Sequence, residues 1–518
     1  MIPEVLMSKQ ATDITFSQVV SDGTNQDCML ETVKDPLILV IFGATGDLTA
    51  RKVFPAVYNL MRTHTLPHPF LILGIGRSEL TSSMFQHNMQ AALAKTHKVD
   101  PSAWEVMARS ISYLQMDYTR PQDYAKLKRT LKALDPDGRT QGNILFYLAV
   151  PPDSYALIAE QLGKAGLSRE YVKGNGRISL VVEKPFGRDL ESARKLDRTL
   201  HTWFEEHQIF RIDHYMAKET VQNVLMFRFA NAMFEPIWNR SYIDYIEITA
   251  WESLGVEHRA GYYDRAGVLR DMFQNHMMML LALCAMEPPS LFESERVRDE
   301  RSKVYRAMQP FPVDRIDQRL VLGQYAAGII NGRPVPGYVE EPGVDPRSLT
   351  PTYARMKVFI DNWRWQGVPM FLTSGKRMAE KRTEIVIQFK EVPCSMFHRI
   401  LGDHITANRL VLGIHPNECV DLTFQTKAPG TRVCLRPVNM HFDYAKGYGG
   451  PLFDDYEKIL LDCMLGDQTL FWRQDAVELC WGFLTPILEE CDCPDRRKTI
   501  YLYRAGTNGP QEAQRIKP

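Results

Sequence analysis

The sequence predicts an α/β Rossmann-like domain followed by a larger α+β domain with a mainly antiparallel sheet. From residue 36, short apolar runs alternate with longer amphipathic stretches, the pattern of a doubly wound parallel sheet. After residue 212 the candidate strands follow one another without intervening helices, which is typical of antiparallel pairing. These observations predict a flexible tail at residues 1–35, a first domain at 36–212 and a second domain at 213–518.

The first domain shows strands and helices in alternation. The apolar runs predict buried strands at 37–42, 70–75, 111–114, 144–149 and 178–182. The amphipathic stretches predict helices at 47–62, 81–95, 120–134, 153–164 and 189–207. Because open α/β sheets bind ligands at the carboxyl ends of their strands, we expect functional residues directly after these strands.

The second domain is richer in strands. Alternating or β-branched segments predict strands at 243–251, 319–325, 353–361, 383–390, 408–413, 417–425 and 431–437. Helical patterns occur at 218–234, 261–285, 453–463 and 474–488, and residues 331–351, rich in Pro and Gly, predict a loop.

Composition narrows the class of protein. Lys+Arg and Asp+Glu both total 62, so no global basic field favours nucleic acid or an anionic membrane. The longest apolar stretches fall short of the ~20 residues that a membrane span needs. Nine scattered cysteines without a repeated CxxC pattern predict reduced thiols, and hence a cytoplasmic protein. The first 34 residues carry more acid than base, unlike a transit peptide.

The first strand runs into a glycine-containing turn, Gly43-Ala44-Thr45-Gly46-Asp47-Leu48, and a helix follows. Glycines let a backbone approach a pyrophosphate, whose charge the helix N-terminus stabilises. Gly-x-x-Gly is weaker than the full GxGxxG fingerprint, and an ordinary strand-to-helix turn explains the string as well. Its position at the first turn of an alternating α/β pattern favours dinucleotide binding.

Arg77 follows closely after the second strand. An acid near this point usually holds the ribose 2′-hydroxyl of NAD, whereas a cation suits the 2′-phosphate of NADP. Arg77 therefore favours NADP over NAD. Glu79 lies two residues further on and could hold the ribose of NAD, so NAD stays the weaker alternative. Arg77 could also be an ordinary surface arginine at a strand end, without a role in cofactor binding.

Three further segments carry ionisable side chains. Lys184 follows the strand at 178–182, His214 and Lys218 stand four apart at the domain junction, and His276 begins the apolar part of a helix. On a helix, His214 and Lys218 would share one face and form a cationic pocket for a phosphate dianion. Asp213 could orient another histidine. Taken singly, each segment also fits a structural role: a rigid turn, an ion-pair cluster or a buried core histidine.

Taken in order, these strings resemble the glucose-6-phosphate dehydrogenase family. The resemblance rests first on Phe42-Gly43-Ala44-Thr45-Gly46-Asp47-Leu48, Glu183-Lys184-Pro185-Phe186-Gly187 and Arg211-Ile212-Asp213-His214-Tyr215. It continues through residues 228–231, 236–240, 261–264, 270–271, 274–276, 364–369, 374–376, 416–418 and 509–510. The series covers residues 36 to 510.

The resemblance implies a role for each matching residue. His276 would be the base that takes the proton from O1 of the sugar, and Asp213 its carboxylate partner. The implied phosphate ligands are His214, Tyr215, Lys218 and Lys381, and the implied contacts to sugar hydroxyls are Glu252, Asp271 and Lys376. Lys184 would lie between substrate and nicotinamide. The implied cofactor-binding residues are Gly43, Thr45, Gly46, Asp47, Leu48, Arg77 and Lys184.

The implied activity is hydride transfer from C1 of glucose 6-phosphate to NADP, the entry step of the oxidative pentose phosphate pathway. The implied assembly is a homodimer or homotetramer built on the broad sheet of the second domain. Three alternatives remain: a related sugar-phosphate dehydrogenase that uses NAD, a non-catalytic NADP-binding regulator, and a metal-dependent isomerase with His214 and His276 as ligands. The regulator would be expected to lack the base, whereas His276 and Asp213 are both present.

Overall fold

The computed structural model describes residues 13–15, 32–170, 176–393, 396–397, 405–448, 453–492 and 500–516. Most of the predicted tail lies outside these ranges. Within it, β1 (Asp13–Thr15) pairs in parallel with a strand of the second domain. No helix among the described residues is both long and apolar enough to cross a bilayer.

A six-stranded parallel sheet forms the core of the first domain, with the strand order β4-β3-β2-β5-β6-β7. Its strands are β2 (Leu37–Phe42), β3 (Phe70–Gly76), β4 (Ile111–Gln115), β5 (Ile144–Leu148), β6 (Ile178–Val182) and β7 (Ile209–Arg211). This is the order of a dinucleotide-binding sheet, in which the chain reverses direction between β2 and β5. The predicted Rossmann-like architecture is confirmed, and the short β7 adds a strand that the sequence pattern did not reveal.

Helices cover both faces of this sheet: α1 (Phe54–Arg62), α2 (Ser82–Leu93), α3 (Pro101–Arg109), α4 (Pro121–Leu134), α5 (Tyr155–Lys164) and α6 (Leu190–Trp203). A π-helical turn, Thr49–Val53, precedes α1. The sequence interpretation missed α3, although Asp100 caps its first turn and Pro101 occupies the first helical position. Only Trp104 and Met107 of α3 are buried, so its apolar stripe is too short to show a clear period.

The second domain is built on a ten-stranded mixed sheet with the order β1-β17-β16-β15-β14-β8-β13-β12-β9-β18. Its strands after β1 are β8 (Ile243–Trp251), β9 (Leu320–Ala326), β12 (Tyr353–Val358), β13 (Met370–Gly375), β14 (Arg382–Phe389), β15 (Arg409–His415), β16 (Cys419–Lys427), β17 (Leu435–Asp443) and β18 (Ile500–Arg504). Most neighbours pair antiparallel, as predicted. The pairs β8–β13, β9–β18 and β1–β17 are parallel.

One predicted loop and one predicted strand differ from the structure. The segment 331–351 is not wholly a loop, because β10 (Gly328–Ile330) and β11 (Arg333–Val335) form a hairpin that enters it. The strand predicted at 431–437 begins later, at Leu435, because the chain first turns through residues 428–434 and the ladder with β16 starts at the Lys427–Leu435 pair. A turn at the beginning of the predicted segment thus moves the start of the strand to a later residue.

The helices of the second domain are α7 (Glu219–Phe229), α8 (Ala260–Val268), α9 (Met278–Ala285), α10 (Ser294–Arg306), α11 (Tyr444–Tyr448), α12 (Asp455–Leu465) and α13 (Gln474–Asp492). The helix predicted at 261–285 is interrupted. A π-helix, Leu269–Met277, separates α8 from α9 and carries Asp271 and His276. Every residue of α9 is buried, so the π-helix is anchored at one end in the core.

The last helices return to the first domain. Residues of α12, among them Ile459 and Met464, share a hydrophobic core with Val53, Phe54 and the strands β2 and β3. Helix α13 packs against α6. The carboxyl-terminal part of the chain therefore packs against the domain junction, where Lys184 follows β6 and Asp213 follows β7.

Candidate active site

His276 lies at the junction of the two domains and is held on both ring nitrogens. Its Nδ1 is 2.5 Å from Asp213 Oδ1, and its Nε2 is 2.8 Å from Lys184 Nζ. The carboxylate can only accept and the ammonium can only donate, so the partners assign the proton to Nδ1 and the lone pair to Nε2. The ring is 1% exposed. This tautomer is the one that a general base needs at Nε2.

Asp213 owes its position to the end of β7. Its side chain caps the 3₁₀ turn His214–Ala217, where Oδ1 accepts from the backbone N–H of Tyr215 at 3.0 Å. Burial on its own raises the pKa of Asp213, but the nearby His276 outweighs burial and lowers the pKa overall. The carboxylate therefore stays charged, and it can stabilise a protonated His276.

Lys184 brings together two residues that the sequence separates. Its Nζ donates to the backbone oxygen of Asp271 at 3.2 Å, and it lies 3.5 Å from Asp271 Oδ1. On a regular helix Asp271 and His276 would diverge, as the sequence predicts. A π-helix has more residues per turn, so Asp271 and His276 both face Lys184. Among the described residues, no hydrogen bond joins Asp271 directly to His276.

His214 and Tyr215 surround the imidazole of His276. Tyr215 stacks on it at 4.0 Å between ring centroids, and His214 meets it edge to face at 4.9 Å. Burial, followed by His276 and Lys184, lowers the pKa of His214 well below its ordinary value. Burial therefore favours the neutral ring of His214, which differs from the positive charge that the predicted cationic pocket assigned to it.

Lys218 lies outside the helix face predicted for it. The 3₁₀ turn ends before Lys218, which caps α7 from an extended conformation, so His214 and Lys218 do not share one helix. The ammonium of Lys218 forms an ion pair with Asp455 of α12 at 2.9 Å. Lys381 is exposed nearby: burial, then Lys381 and Lys218, lower the pKa of His415. Two lysines thus face one histidine at the end of β15.

The ends of two parallel strands supply another polar group. Glu252 follows β8 and Lys376 follows β13, and because these strands run in parallel, both side chains emerge at one edge and form an ion pair. The ammonium of Lys376 lies 5.0 Å above the ring of Tyr263. Within the described residues, the hydroxyl of Tyr263 is buried without a hydrogen-bond partner, as expected of a group that faces a polar ligand.

The glycine turn after β2 fits a dinucleotide. Gly43 has φ +79°, and a Cβ at this position would lie 2.1 Å from the carbonyl oxygen of Ala149. Only glycine therefore lets the turn pack against the end of β5, at the point where the strand order reverses between β2 and β5. Asp47 and Leu48 begin the helix, with Thr45 before them, so backbone N–H groups and the positive end of a helix lie beside the crevice.

Arg77 directly follows β3, and its side chain is exposed. Asp117 lies on the loop between β4 and α4. Hydrogen bonds from Thr119, and then the charges of Arg120 and Arg77, lower its pKa, so the guanidinium of Arg77 is close to this loop. The hydroxyl of the adjacent Tyr118 accepts from the backbone N–H of Gly43 at 2.9 Å. Arg77 therefore lies near the glycine turn, at the point where an adenosine ribose meets a dinucleotide-binding sheet. Glu79 is exposed as well.

Sequence reasoning missed several polar residues around the site. Glu183 is half-buried beside Lys184, and the loss of water around its carboxyl raises its pKa. It accepts from the hydroxyl of Tyr147 at 2.6 Å and from that of Tyr456 at 3.3 Å. Asp455 was missed too. No local pattern marks Tyr456 or Asp455, because they meet their partners only when α12 folds back onto the first domain.

Comparison with protein-family models covers almost the whole chain. The model described as "Glucose-6-phosphate dehydrogenase, NAD binding domain" matches residues 40–223. The model described as "Glucose-6-phosphate dehydrogenase, C-terminal domain" matches residues 225–517.

Curated relatives and solved structures agree with these models. Glucose-6-phosphate 1-dehydrogenase of Aggregatibacter actinomycetemcomitans is 45% identical over 478 residues, covering 92% of this chain and 95% of the relative. The enzyme of Treponema pallidum is 45% identical over 483 residues, covering 92% and 93%. A structure of glucose-6-phosphate dehydrogenase in complex with its substrate glucose-6-phosphate has a TM-score of 0.84 at 33% identity, covering 93% of this chain and 97% of that one. The Mycobacterium avium enzyme has a TM-score of 0.78 at 33% identity, covering 92% and 96%.

Proposed function

This chain belongs to the glucose-6-phosphate dehydrogenase family, and we propose that it oxidises C1 of glucose 6-phosphate with NADP, yielding a 6-phosphoglucono-lactone. The observation that carries this proposal is the arrangement of Asp213, His276 and Lys184. It gives a buried imidazole whose unprotonated Nε2 points to the edge where β6 ends and Lys184 follows. A base in that position is what oxidation of a hydroxyl requires.

His276 takes the proton of the sugar O1 hydroxyl onto Nε2. Asp213, already bonded to Nδ1, stabilises the imidazolium that results. NADP, held by the glycine turn at Gly43 and by Arg77, would supply the acceptor for the hydride that leaves C1 of the sugar. The O1 electron pair becomes the carbonyl of the lactone, so atoms and charges balance.

Lys184 has two tasks in this scheme. Without substrate its ammonium covers the lone pair of His276, at 2.8 Å from Nε2. The O1 hydroxyl must replace it there, and Lys184 then stays anchored to the backbone oxygen of Asp271. From this position Lys184 would contact both the sugar and the nicotinamide. Glu252 and Lys376 at the edge of the large sheet, and Asp271 on the π-helix, bind other sugar hydroxyls. The Tyr263 hydroxyl, which has no hydrogen-bond partner among the described residues, adds a further polar contact.

The phosphate of the substrate binds to Lys218, Lys381, Tyr215 and a neutral His214. Replacing Lys218 with Ala should raise the KM for glucose 6-phosphate about tenfold to a hundredfold, because a charge-assisted hydrogen bond contributes about 1.5–3 kcal/mol. Steady-state kinetics with glucose 6-phosphate and free glucose check this. Free glucose should be a poor substrate for both proteins, and an equal loss with both substrates would show that Lys218 is structural.

Asp455 provides the opposite change. It pairs with Lys218 and competes with phosphate for the ammonium, so Asp455→Asn should lower the KM about two- to fivefold, the worth of a partly exposed ion pair. Inhibition by inorganic phosphate should strengthen by a similar factor. If both constants match those of the wild type, the pair does not compete with phosphate.

Arg77 is the residue proposed to select NADP over NAD. A guanidinium binds a 2′-phosphate bidentately, so Arg77→Ala should shift the ratio of kcat/KM values toward NAD by about tenfold or more. Arg120, which is exposed on the loop between β4 and α4 and pairs with Asp117, provides the matched control, and Arg120→Ala should leave the ratio unchanged. An unchanged ratio in Arg77→Ala would show that Glu79 or another group reads the ribose.

Two alternative functions differ from the proposal in testable ways. A metal-dependent isomerase would need His276 as a ligand, but both of its nitrogens are engaged by Asp213 and Lys184, and the ammonium would repel a cation. Chelators should therefore leave turnover intact. A non-catalytic regulator would bind NADP without reducing it.

We also propose the division at residues 212/213, a homodimer and a cytoplasmic location. The buried thiols of Cys284, Cys463 and Cys480, which form no disulfide with another described cysteine, fit a reducing compartment. All nine residues of β16 keep part of their surface exposed, which supports association through this sheet. Sedimentation analysis distinguishes dimer from tetramer and monomer.

A further inference from the structure

Three metal-ligating side chains meet on the outer strands of the large sheet, on β16 and β17. Cys419 and Asp421 are two residues apart on β16, and His441 stands directly opposite Asp421 in the antiparallel register. Residues two apart on a strand share a face, as do residues directly opposite each other. The cluster therefore lies on one face. Val420 and Leu422 point the other way and pack on the hydrophobic core.

The ligand atoms of this cluster are close enough to hold one ion. Nδ1 of His441 is 2.7 Å from Asp421 Oδ1, and Sγ of Cys419 is 3.4 Å from Asp421 Oδ2. One sulfur, one nitrogen and one oxygen atom all lie within 4.8 Å of one another. Tetrahedral zinc with bonds of about 2.0–2.3 Å separates its ligands by roughly 3.3–3.8 Å, so small side-chain rotations suffice.

The neighbouring strands leave room for the thiol. Gly413 of β15 pairs with Cys419, and a Cβ at Gly413 would lie 2.7 Å from Cys419 Sγ. A larger residue would therefore push the thiol out of the cluster. On the other side, Asp443 stands opposite Cys419 and adds a second carboxylate to the same face. The face thus offers a cradle with net negative character, in which the side chains of Asp421 and His441 are both 29% exposed in the single chain.

We propose that Cys419, Asp421 and His441 form a zinc site that none of the proposed catalytic steps uses. Thiolate, imidazole and carboxylate together suit Zn²⁺, whereas Mg²⁺ and Ca²⁺ prefer oxygen ligands alone. On coordination Cys419 releases its thiol proton to water, His441 binds as the neutral ring, and no redox change occurs. Asp443 or water completes a tetrahedron. The ion ties β16 to β17 by side chains as well as by the backbone ladder.

Cobalt provides a direct probe of this site. The full-length wild-type chain, stripped with a chelator and dialysed, should bind one equivalent of Co²⁺ with a thiolate-to-cobalt charge-transfer band that Zn²⁺ abolishes. Cys419→Ala should remove the band. His441→Gln, which keeps a hydrogen bond to Asp421, should weaken Zn²⁺ affinity by about a hundredfold or more, because even indirect partners of a zinc site contribute ten- to a hundredfold.

The matched control is Cys434→Ser, at the exposed cysteine just before β17, which should keep both the band and the affinity. Circular dichroism shows whether each variant is folded. If Cys419→Ala does not fold, the Zn²⁺ affinity of His441→Gln tests the proposal instead. The proposal is overturned if folded wild type shows no saturable metal binding, if the band survives in Cys419→Ala, if His441→Gln binds Zn²⁺ as tightly as wild type, or if Cys434→Ser loses the band. Each of these outcomes leaves the proposed dehydrogenase activity untouched, because metal binding is measured without substrate.

Discussion

Replacing His276 with Asn is expected to lower kcat about 10²- to 10⁴-fold while glucose 6-phosphate still binds with a similar Kd. Asn has no basic nitrogen, so only the transfer of the O1 proton is lost. Steady-state rates and equilibrium binding of the substrate measure the two quantities separately. His207, an exposed histidine paired with Glu170, provides the control, and His207→Asn should retain the wild-type kcat. Turnover near the wild-type rate in His276→Asn would remove His276 from the mechanism.

The pH profile of the wild type gives the same residue a second test. Burial lowers the pKa of His276 below the ordinary histidine value of 6.5, although Asp213 opposes this effect. A base must be neutral, so kcat/KM should hold as the pH falls and decline only once His276 gains its proton. The acid limb should therefore lie below pH 6.5. An acid limb well above that value would contradict the assignment.

Asp213→Asn is the second substitution with a large expected effect. Asp213 positions His276, and an amide in its place can donate to Nδ1 and favour the wrong tautomer, so kcat should fall about 10²- to 10⁴-fold. Substrate affinity should change little, since Asp213 reaches the substrate only through the imidazole. Kinetics in parallel with His276→Asn measure both effects.

The pH profile distinguishes this positioning role from a purely structural one. The Asp213 carboxylate raises the pKa of His276, so its loss should move the acid limb of the residual activity to lower pH. Asp213→Glu, which keeps the charge, should restore part of the rate. A profile unchanged in shape with a reduced amplitude would indicate that Asp213 only supports the fold.

Much of the first domain could be predicted because its physics is local. The strand Leu37–Phe42 is buried at every position, and such a strand shows in the sequence as an unbroken apolar run. The turn at Gly43 and the basic residue at Arg77 follow from where those strands end. Helix α3 was lost because it buries so little of its surface.

The geometry around His276 could not be predicted in the same way. Periodicity assumes a regular helix, and the π-helix Leu269–Met277 breaks that assumption where Asp271 and His276 lie. The role of His276 came from the family resemblance, because one histidine on an apolar helix more often serves the core. The sequence also placed His214 and Lys218 on one helix, but the backbone at Lys218 is extended, so no single helix contains both residues.

Residues supplied by the end of the chain were beyond sequence reasoning. Asp455 meets Lys218 across 237 positions of the sequence, and Tyr456 meets Glu183 across 273. Pairings over such separations depend on how α12 packs against the first domain. Only a tertiary structure reveals them.

The most direct test is the rate at which the purified wild-type protein reduces NADP with glucose 6-phosphate, followed by the absorbance of the reduced nicotinamide. NAD as the second cofactor and free glucose as the second sugar run in parallel. We expect rapid reduction of NADP with glucose 6-phosphate, slower reduction of NAD, and little reaction with glucose. The absence of reduced nicotinamide with glucose 6-phosphate and either cofactor, in a folded protein that binds both ligands, would contradict the proposed function.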